Sequence, residues 1–135
     1  KIYSGKLTYA ANWSREYKEI EFWDQLDFIG VQAYFPLSDK DFPTLQEIRQ
    51  GWTKHLQGLK KQHAKFNKPI LFTEMGYKST KNTAAKPWEW VNYENTKDSL
   101  ASDELQAACY QAFFDRVWPK DWFAGVHILA NEKRF

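Results

Sequence analysis

Glu74 is the residue in this chain best placed to do chemistry. It directly follows the apolar run Pro69-Ile70-Leu71-Phe72-Thr73 and precedes Met75 and Gly76. A carboxylate in such a setting is costly to desolvate unless it is paired or used. Gly76 lets the backbone turn sharply just beyond it. Two roles are open: a structural carboxylate that caps the next element or pairs with a basic side chain, and a reactive one. Other polar and aromatic residues hold comparable places. Asn12 and Trp13 follow the run Lys6 to Ala11. Gln32, Tyr34 and Phe35 end the run that begins at Phe28, and His127 lies within Phe123 to Leu129. The chain is 18% aromatic, with seven Trp and seven Tyr. Sugar rings have apolar C–H faces that stack on indole and phenol rings, so these residues suit a carbohydrate site. They suit an aromatic core as well, and composition does not choose between the two.

The elements that must position these residues follow from pattern. Four short, nearly continuous apolar runs read as strands buried on both faces, as in parallel sheets. They are Lys6–Ala11, Phe28–Tyr34, Pro69–Thr73 and Phe123–Leu129. Helical patterns separate them. Tyr17 to Gln25 carries Ile20 and Trp23 on one side. Thr44 and Glu47 form a capping box that opens a long helix to about Phe66, with Leu45, Ile48, Trp52, Leu56 and Leu59 at helical spacing. Asn67 and Pro69 end it. Ser102 caps a third helix, with Leu105, Ala108, Ala112 and Phe113 inward, which Pro119 stops. The order β-α-β-α-β-α-β predicts parallel strands with right-handed crossovers. In such folds the working residues sit at the carboxyl ends of strands and on the following loops. Glu74 is therefore on the working face, and Asp27, at a strand entrance, is on the opposite one. His127 reads as a satisfied interior histidine, and His55 and His63 as solvated positions on the long helix. The irregular stretch Lys78 to Lys97 is long enough to be functional. It carries Trp88 and Trp90, which favours an ordered binding loop.

The formal charge of +2 offers no electrostatic case for nucleic acid or a membrane surface. No run approaches the roughly 18 apolar residues of a transmembrane helix. The one cysteine, Cys109, lies in an apolar helical run and reads as a buried structural thiol. A single thiol leaves the redox compartment unreadable. At 135 residues the chain is long enough for a real core but short of the roughly 250 residues of a full eight-stranded α/β barrel. Its start at Lys1, almost directly into a strand-like run, suggests a fragment.

The stretch Ile-Leu-Phe-Thr-Glu-Met-Gly-Tyr around Glu74 resembles the seventh strand of the large clan of (β/α)8-barrel retaining glycosidases. Leu-Thr-Tyr-Ala-Ala-Asn-Trp looks like the fifth strand of that clan. Trp-Asp-Gln-Leu-Asp-Phe-Ile-Gly-Val-Gln-Ala-Tyr-Phe-Pro-Leu looks like the sixth strand with the helix end before it. The set is most similar to the family 113 β-mannanase-like hydrolases and spans roughly Tyr3 to Leu129. The resemblance implies an α/β fold, the C-terminal half of a TIM barrel, with residues 1–135 forming one partial domain that holds strands five to eight. It implies hydrolysis of β-1,4-linked mannan-type polysaccharide by double displacement, without metal or cofactor. Glu74 would be the nucleophile, and Tyr34 would hydrogen-bond it. Asn12, Trp13, Gln32, Trp88 and Trp90 would line the sugar subsites. A secreted, periplasmic or cell-surface setting would suit a bacterial parent.

Two features depart from the family pattern. Retention needs a second carboxyl group about 5–5.5 Å from the first. In this clan it ends the fourth strand, ahead of the matched stretch, and Glu89 and Glu94 on the long loop are poor substitutes. Family members usually carry an aromatic at the end of the eighth strand, whereas here Leu129 is followed by the charged tail Ala-Asn-Glu-Lys-Arg-Phe. Half a barrel leaves two sheet edges and an apolar interior open. A complementary half barrel or a homodimer would satisfy them. These departures keep open a second function, a non-catalytic carbohydrate-binding or interaction module, and a third, an unrelated open α/β domain.

Overall fold

A computed structural model describes residues 3–89 and 102–129. Four strands run parallel in the order β1 (Ala10–Asn12), β2 (Ile29–Gln32), β3 (Ile70–Met75) and β4 (Phe123–Ile128). Helices α1 (Glu16–Glu19), α2 (Leu45–Phe66) and α3 (Asp103–Arg116) lie in the connections. Each strand pairs with the next in sequence, as in a barrel wall wound in one direction. Among the described residues no helix is long and apolar enough to cross a membrane.

Helix α2 forms where the capping box and spacing predict. Thr44 Oγ1 accepts from the Glu47 amide, and the Glu47 carboxylate accepts from the Thr44 amide. Asn67 ends the helix in the left-handed conformation, which asparagine tolerates better than most residues. Ile48, Trp52, Leu56 and Leu59 are buried against the sheet. In α3, Ser102 Oγ caps the Leu105 amide, and Leu105, Cys109, Ala112 and Phe113 face inward. Burial pushes the Cys109 thiol up to about 12, as expected of an inert structural cysteine.

Three expectations need correction. The first strand begins at Ala10 and not at Lys6, because Leu7 is held elsewhere. Its amide donates to Asp27 Oδ2 (2.7 Å) and its carbonyl accepts from the Asp27 amide (2.9 Å). The segment Tyr17 to Gln25 is not one helix. It breaks at Ile20, which turns extended, and resumes as a 3-10 turn over Phe22–Gln25. Buried Trp23 holds that break by donating its indole N–H to the Tyr17 carbonyl (3.0 Å). Finally, Gly76 makes no positive-φ turn. It gives room for Leu129, whose carbonyl oxygen would lie 3.2 Å from an added Cβ.

The histidines also sit differently. His55 and His63 are half-buried, not solvated, with ring nitrogens against the carbonyls of Pro36 (2.8 Å) and Lys68 (2.9 Å). Burial lowers the His55 pKa, and its ring packs on Phe35 at 4.6 Å between centroids. His127 is exposed on the outer strand β4, not interior.

Gly51 marks a tight contact in the middle of α2. A Cβ there would come within 1.9 Å of the Leu37 carbonyl oxygen. Leu37 in turn donates its amide to the Ala84 carbonyl (2.7 Å), so α2, the segment after β2 and the loop after β3 are locked together. Replacing Gly51 by Ala adds roughly 1 kcal/mol of helix propensity. Overpacking against backbone costs about 1–3 kcal/mol or more, and the clash wins. Gly51→Ala is expected to lower the denaturant midpoint; a raised midpoint would show that the Leu37 segment yields freely.

Candidate active site

Strand β3 would not present Glu74 by simple alternation. Ile70 and Phe72 are buried toward the helices, and period two would send Glu74 the same way. A β-bulge prevents this. Val31 pairs with Phe72, but the next residue, Gln32, pairs with Glu74, so Thr73 is the extra residue. Burial along the strand records the slip, with Ile70, Phe72 and Met75 buried and Thr73 and Glu74 half-buried. Bulges re-aim side chains in this way. Glu74 thus lies inside the strand, one residue before its end, and not after it.

Along β2 and the extended segment after it the alternation is undisturbed. Val31, Ala33, Phe35 and Leu37 are buried toward the helices, which leaves Gln32 and Tyr34 on the other face. There both reach Glu74. Gln32 Nε2 donates to Oε1 at 3.1 Å, and the Tyr34 hydroxyl donates to Oε2 at 3.0 Å. The Ala33 amide, between them in sequence, donates to the Glu74 carbonyl at 2.7 Å. Each carboxylate oxygen therefore has one neutral donor. A carboxylate offers about four lone-pair sites, so acceptor capacity is left for another group. No basic side chain pairs with Glu74 among the described residues.

Burial first, then the hydrogen bond and the negative charge of Glu74, push the Tyr34 pKa up to about 12. The sign is that of an acid kept protonated by the fold. Tyr34 stays a hydrogen-bond donor across the neutral range, and its stabilisation is lost only as pH rises from about 10 through about 12. Tyr110, on α3, adds to the charge environment of Tyr34. It also accepts from the Tyr77 amide (3.3 Å) and packs edge-on against the Tyr77 ring, which ties α3 to the residues just after Glu74. Sequence reasoning missed Tyr110, because nothing local marks a helical tyrosine as reaching Tyr77, 33 residues away.

Trp13 and Trp88, two of the other candidates, form a second cluster. Trp13 packs edge-on against Phe35 and stacks on Trp88, with ring centroids 5.2 Å apart and planes at 27°. Trp13 is half-buried and Trp88 is 43% exposed, so Trp88 is the accessible member of the pair. Asn12 ends β1, but its Oδ1 accepts from the Ser14 amide and hydroxyl, and its amide donates to Glu16. These contacts shape the turn after β1, and none joins Asn12 to Glu74. Trp90 and Glu94 lie outside the described residues.

The loop after β3 is built to hold Trp88. Lys78, 5% exposed, donates its ammonium to the Glu89 carbonyl, and burial lowers its pKa. Ala84 accepts from the amides of both Leu37 and Ser38. The Glu89 carboxylate pairs with Lys86 (3.0 Å) and so belongs to the loop's own network. Among the described residues no cluster of three or more His, Cys, Asp or Glu side chains could hold a metal.

Comparisons with known proteins agree with this architecture. The profile of Glycoside Hydrolase Family 113 matches residues 1–134. No curated protein matches the sequence. Among solved structures, the GH113 β-mannanase AaManA from Alicyclobacillus acidocaldarius, in complex with ManMIm, superimposes with a TM-score of 0.74 at 26% identity. It covers 94% of this chain and 35% of its own. A GH113 β-1,4-mannanase in a complex structure gives a TM-score of 0.72 at 23% identity, over 92% of this chain and 34% of its own. The chain thus spans about a third of the length of the solved mannanases it matches. Its four parallel strands and helices correspond to that part of a GH113 barrel. With the family profile matching nearly every residue, the chain belongs to glycoside hydrolase family 113.

Proposed function

We propose that Glu74 is the nucleophile of a retaining glycoside hydrolase that cleaves β-1,4-linked mannan-type polysaccharide, with β1 to β4 as strands five to eight of the barrel. The observation that carries this is the bulge at Thr73, which turns Glu74 to the face of Gln32 and Tyr34 and gives each oxygen a neutral donor. In the first step Glu74 attacks the anomeric carbon while the leaving oxygen takes a proton from a general acid. In the second, water attacks the glycosyl-enzyme, and the same group, now a base, removes its proton. Gln32 and Tyr34 hold the carboxylate in line. Trp88, backed by Trp13, is a wall for a sugar ring. No metal or cofactor is required. The acid/base carboxylate is to come from sequence outside these 135 residues.

The decisive experiment is reducing-sugar release from mannohexaose by the intact protein that carries this sequence. Release is expected; its absence, with equal inactivity on glucan and xylan oligosaccharides, would refute the assignment. One observation favours a binding module instead for the 135 residues alone: Glu89, the acidic candidate on the described part of the loop, is paired with Lys86. Calorimetric titration of that chain with manno-oligosaccharide distinguishes the two, since a module binds without turnover.

Tyr34→Phe removes one donor to Glu74 without altering shape. A hydrogen bond to a charged group is worth about 1.5–3 kcal/mol, so kcat/KM on mannohexaose should fall roughly 10- to 150-fold. The circular dichroism spectrum should match the parent's. An unchanged kcat/KM would show that the phenol does not support Glu74.

A further inference from the structure

Behind the sheet, at the end of the strands opposite Glu74, α2 and the segment after α3 line an open groove of about 520 Å3. Its charged and aromatic lining comes from Lys60 and His63 on α2, Arg116 at the end of α3, and Lys120, Asp121 and Trp122 before β4. Three permanent cations thus face one carboxylate. Among the described residues no ion pair links Asp121 to any of them. Arg116 is the least exposed of the three. Its Nε is buried without a hydrogen-bond partner, and its Nη2 has only a long contact of 3.4 Å to Thr53 Oγ1. The buried Nε is closed to a ligand, so the donors left to meet an incoming acceptor are those of Nη1 and Nη2, which have little else to bond.

We propose that this groove is a second ligand site, which binds a phosphate group, either free or as the monoester of a small molecule. The guanidinium fork pairs with two phosphate oxygens through parallel hydrogen bonds, and Lys60 and Lys120 neutralise the rest. The volume lies within the range of about 300–1,000 Å3 common to small-molecule sites, so there is room for an organic body beside the phosphate. His63 forms a fixed wall, because its Nδ1 is held by the Lys68 carbonyl and its ring stacks over Trp122 at 6.2 Å and 26°. Nothing in this proposal depends on the role of Glu74.

The test is calorimetric titration of the intact protein with inorganic phosphate, mannose 6-phosphate and mannose, with sodium chloride at matched ionic strength as control. Saturable binding of phosphate or its ester, absent with mannose and chloride, is expected. Tighter binding of the ester assigns the site to phosphorylated small molecules, and equal binding to free phosphate. The double variant Lys60→Gln/Lys120→Gln changes two exposed side chains and spares the fold; it should weaken binding by about tenfold or more. Arg116→Lys keeps the charge, loses the fork and should also bind more weakly. Phosphate heats no larger than those of chloride, or binding unaffected by the double variant, would overturn the proposal.

Discussion

Glu74→Gln should abolish hydrolysis while leaving the fold intact. Glutamine has the shape of glutamate, and its side-chain oxygen still accepts a hydrogen bond at the position where Gln32 or Tyr34 donates. An amide does not attack an anomeric carbon. Loss of an essential covalent nucleophile lowers kcat by at least about 10³-fold, since no neighbouring group substitutes for it. Circular dichroism and melting temperature should match the parent. Mannohexaose binding should persist, because Trp13 and Trp88 are untouched. Retained turnover in the variant would place the nucleophile elsewhere and remove the role given to the bulge.

The second large effect concerns stability. Trp52 is fully buried on α2. It lies nearly parallel to Phe72 at 6.2 Å and 15°, and packs at 5.7 Å from Phe35 and 6.4 Å from Phe113. Trp52→Ala should cost about 3–5 kcal/mol through lost contacts and the cavity left behind. That is a large share of the roughly 5–15 kcal/mol that holds a typical domain. Trp52→Phe should cost much less. It keeps most of the ring volume and removes an indole N–H that is buried without a partner, so part of the packing loss is offset. Urea unfolding of the two variants checks both the size and the order. Similar losses for the two would mean that the indole N–H is satisfied in solution. The site should feel the alanine change, because Phe35 is adjacent to Tyr34 and Phe72 lies on the strand that carries Glu74.

Much of this was legible in the sequence because burial and local caps wrote it there. The Thr44–Glu47 box and the spacing of Ile48, Trp52, Leu56 and Leu59 define α2 without reference to the rest of the chain. The apolar runs locate β2, β3 and β4 because strands covered by helices must be apolar. What eluded the sequence depends on pairing between distant segments. The bulge at Thr73 exists only relative to the strands on either side, so the turning of Glu74 toward Gln32 and Tyr34 was not visible in Ile-Leu-Phe-Thr-Glu. The same holds for Leu7, which gives up strand pairing for Asp27, and for His55 and His63, whose carbonyl partners come from other segments. Gln32, expected to line the sugar site, places one of its two amide N–H donors on Glu74. Asn12 is used by its own turn. Trp13 and Trp88 meet because the loops after β1 and β3 converge, which spacing does not foretell.

The claim that matters most is that Glu74 forms the bond to the sugar. A 2-deoxy-2-fluoro mannosyl fluoride slows breakdown of a glycosyl-enzyme and lets it accumulate. Intact-mass and peptide analysis of the protein after reaction with this probe should show one added fluoromannosyl group on the peptide that contains Glu74. The label should be absent in Glu74→Gln. A label on a different carboxylate, or none in a protein that turns over mannohexaose, would contradict the account.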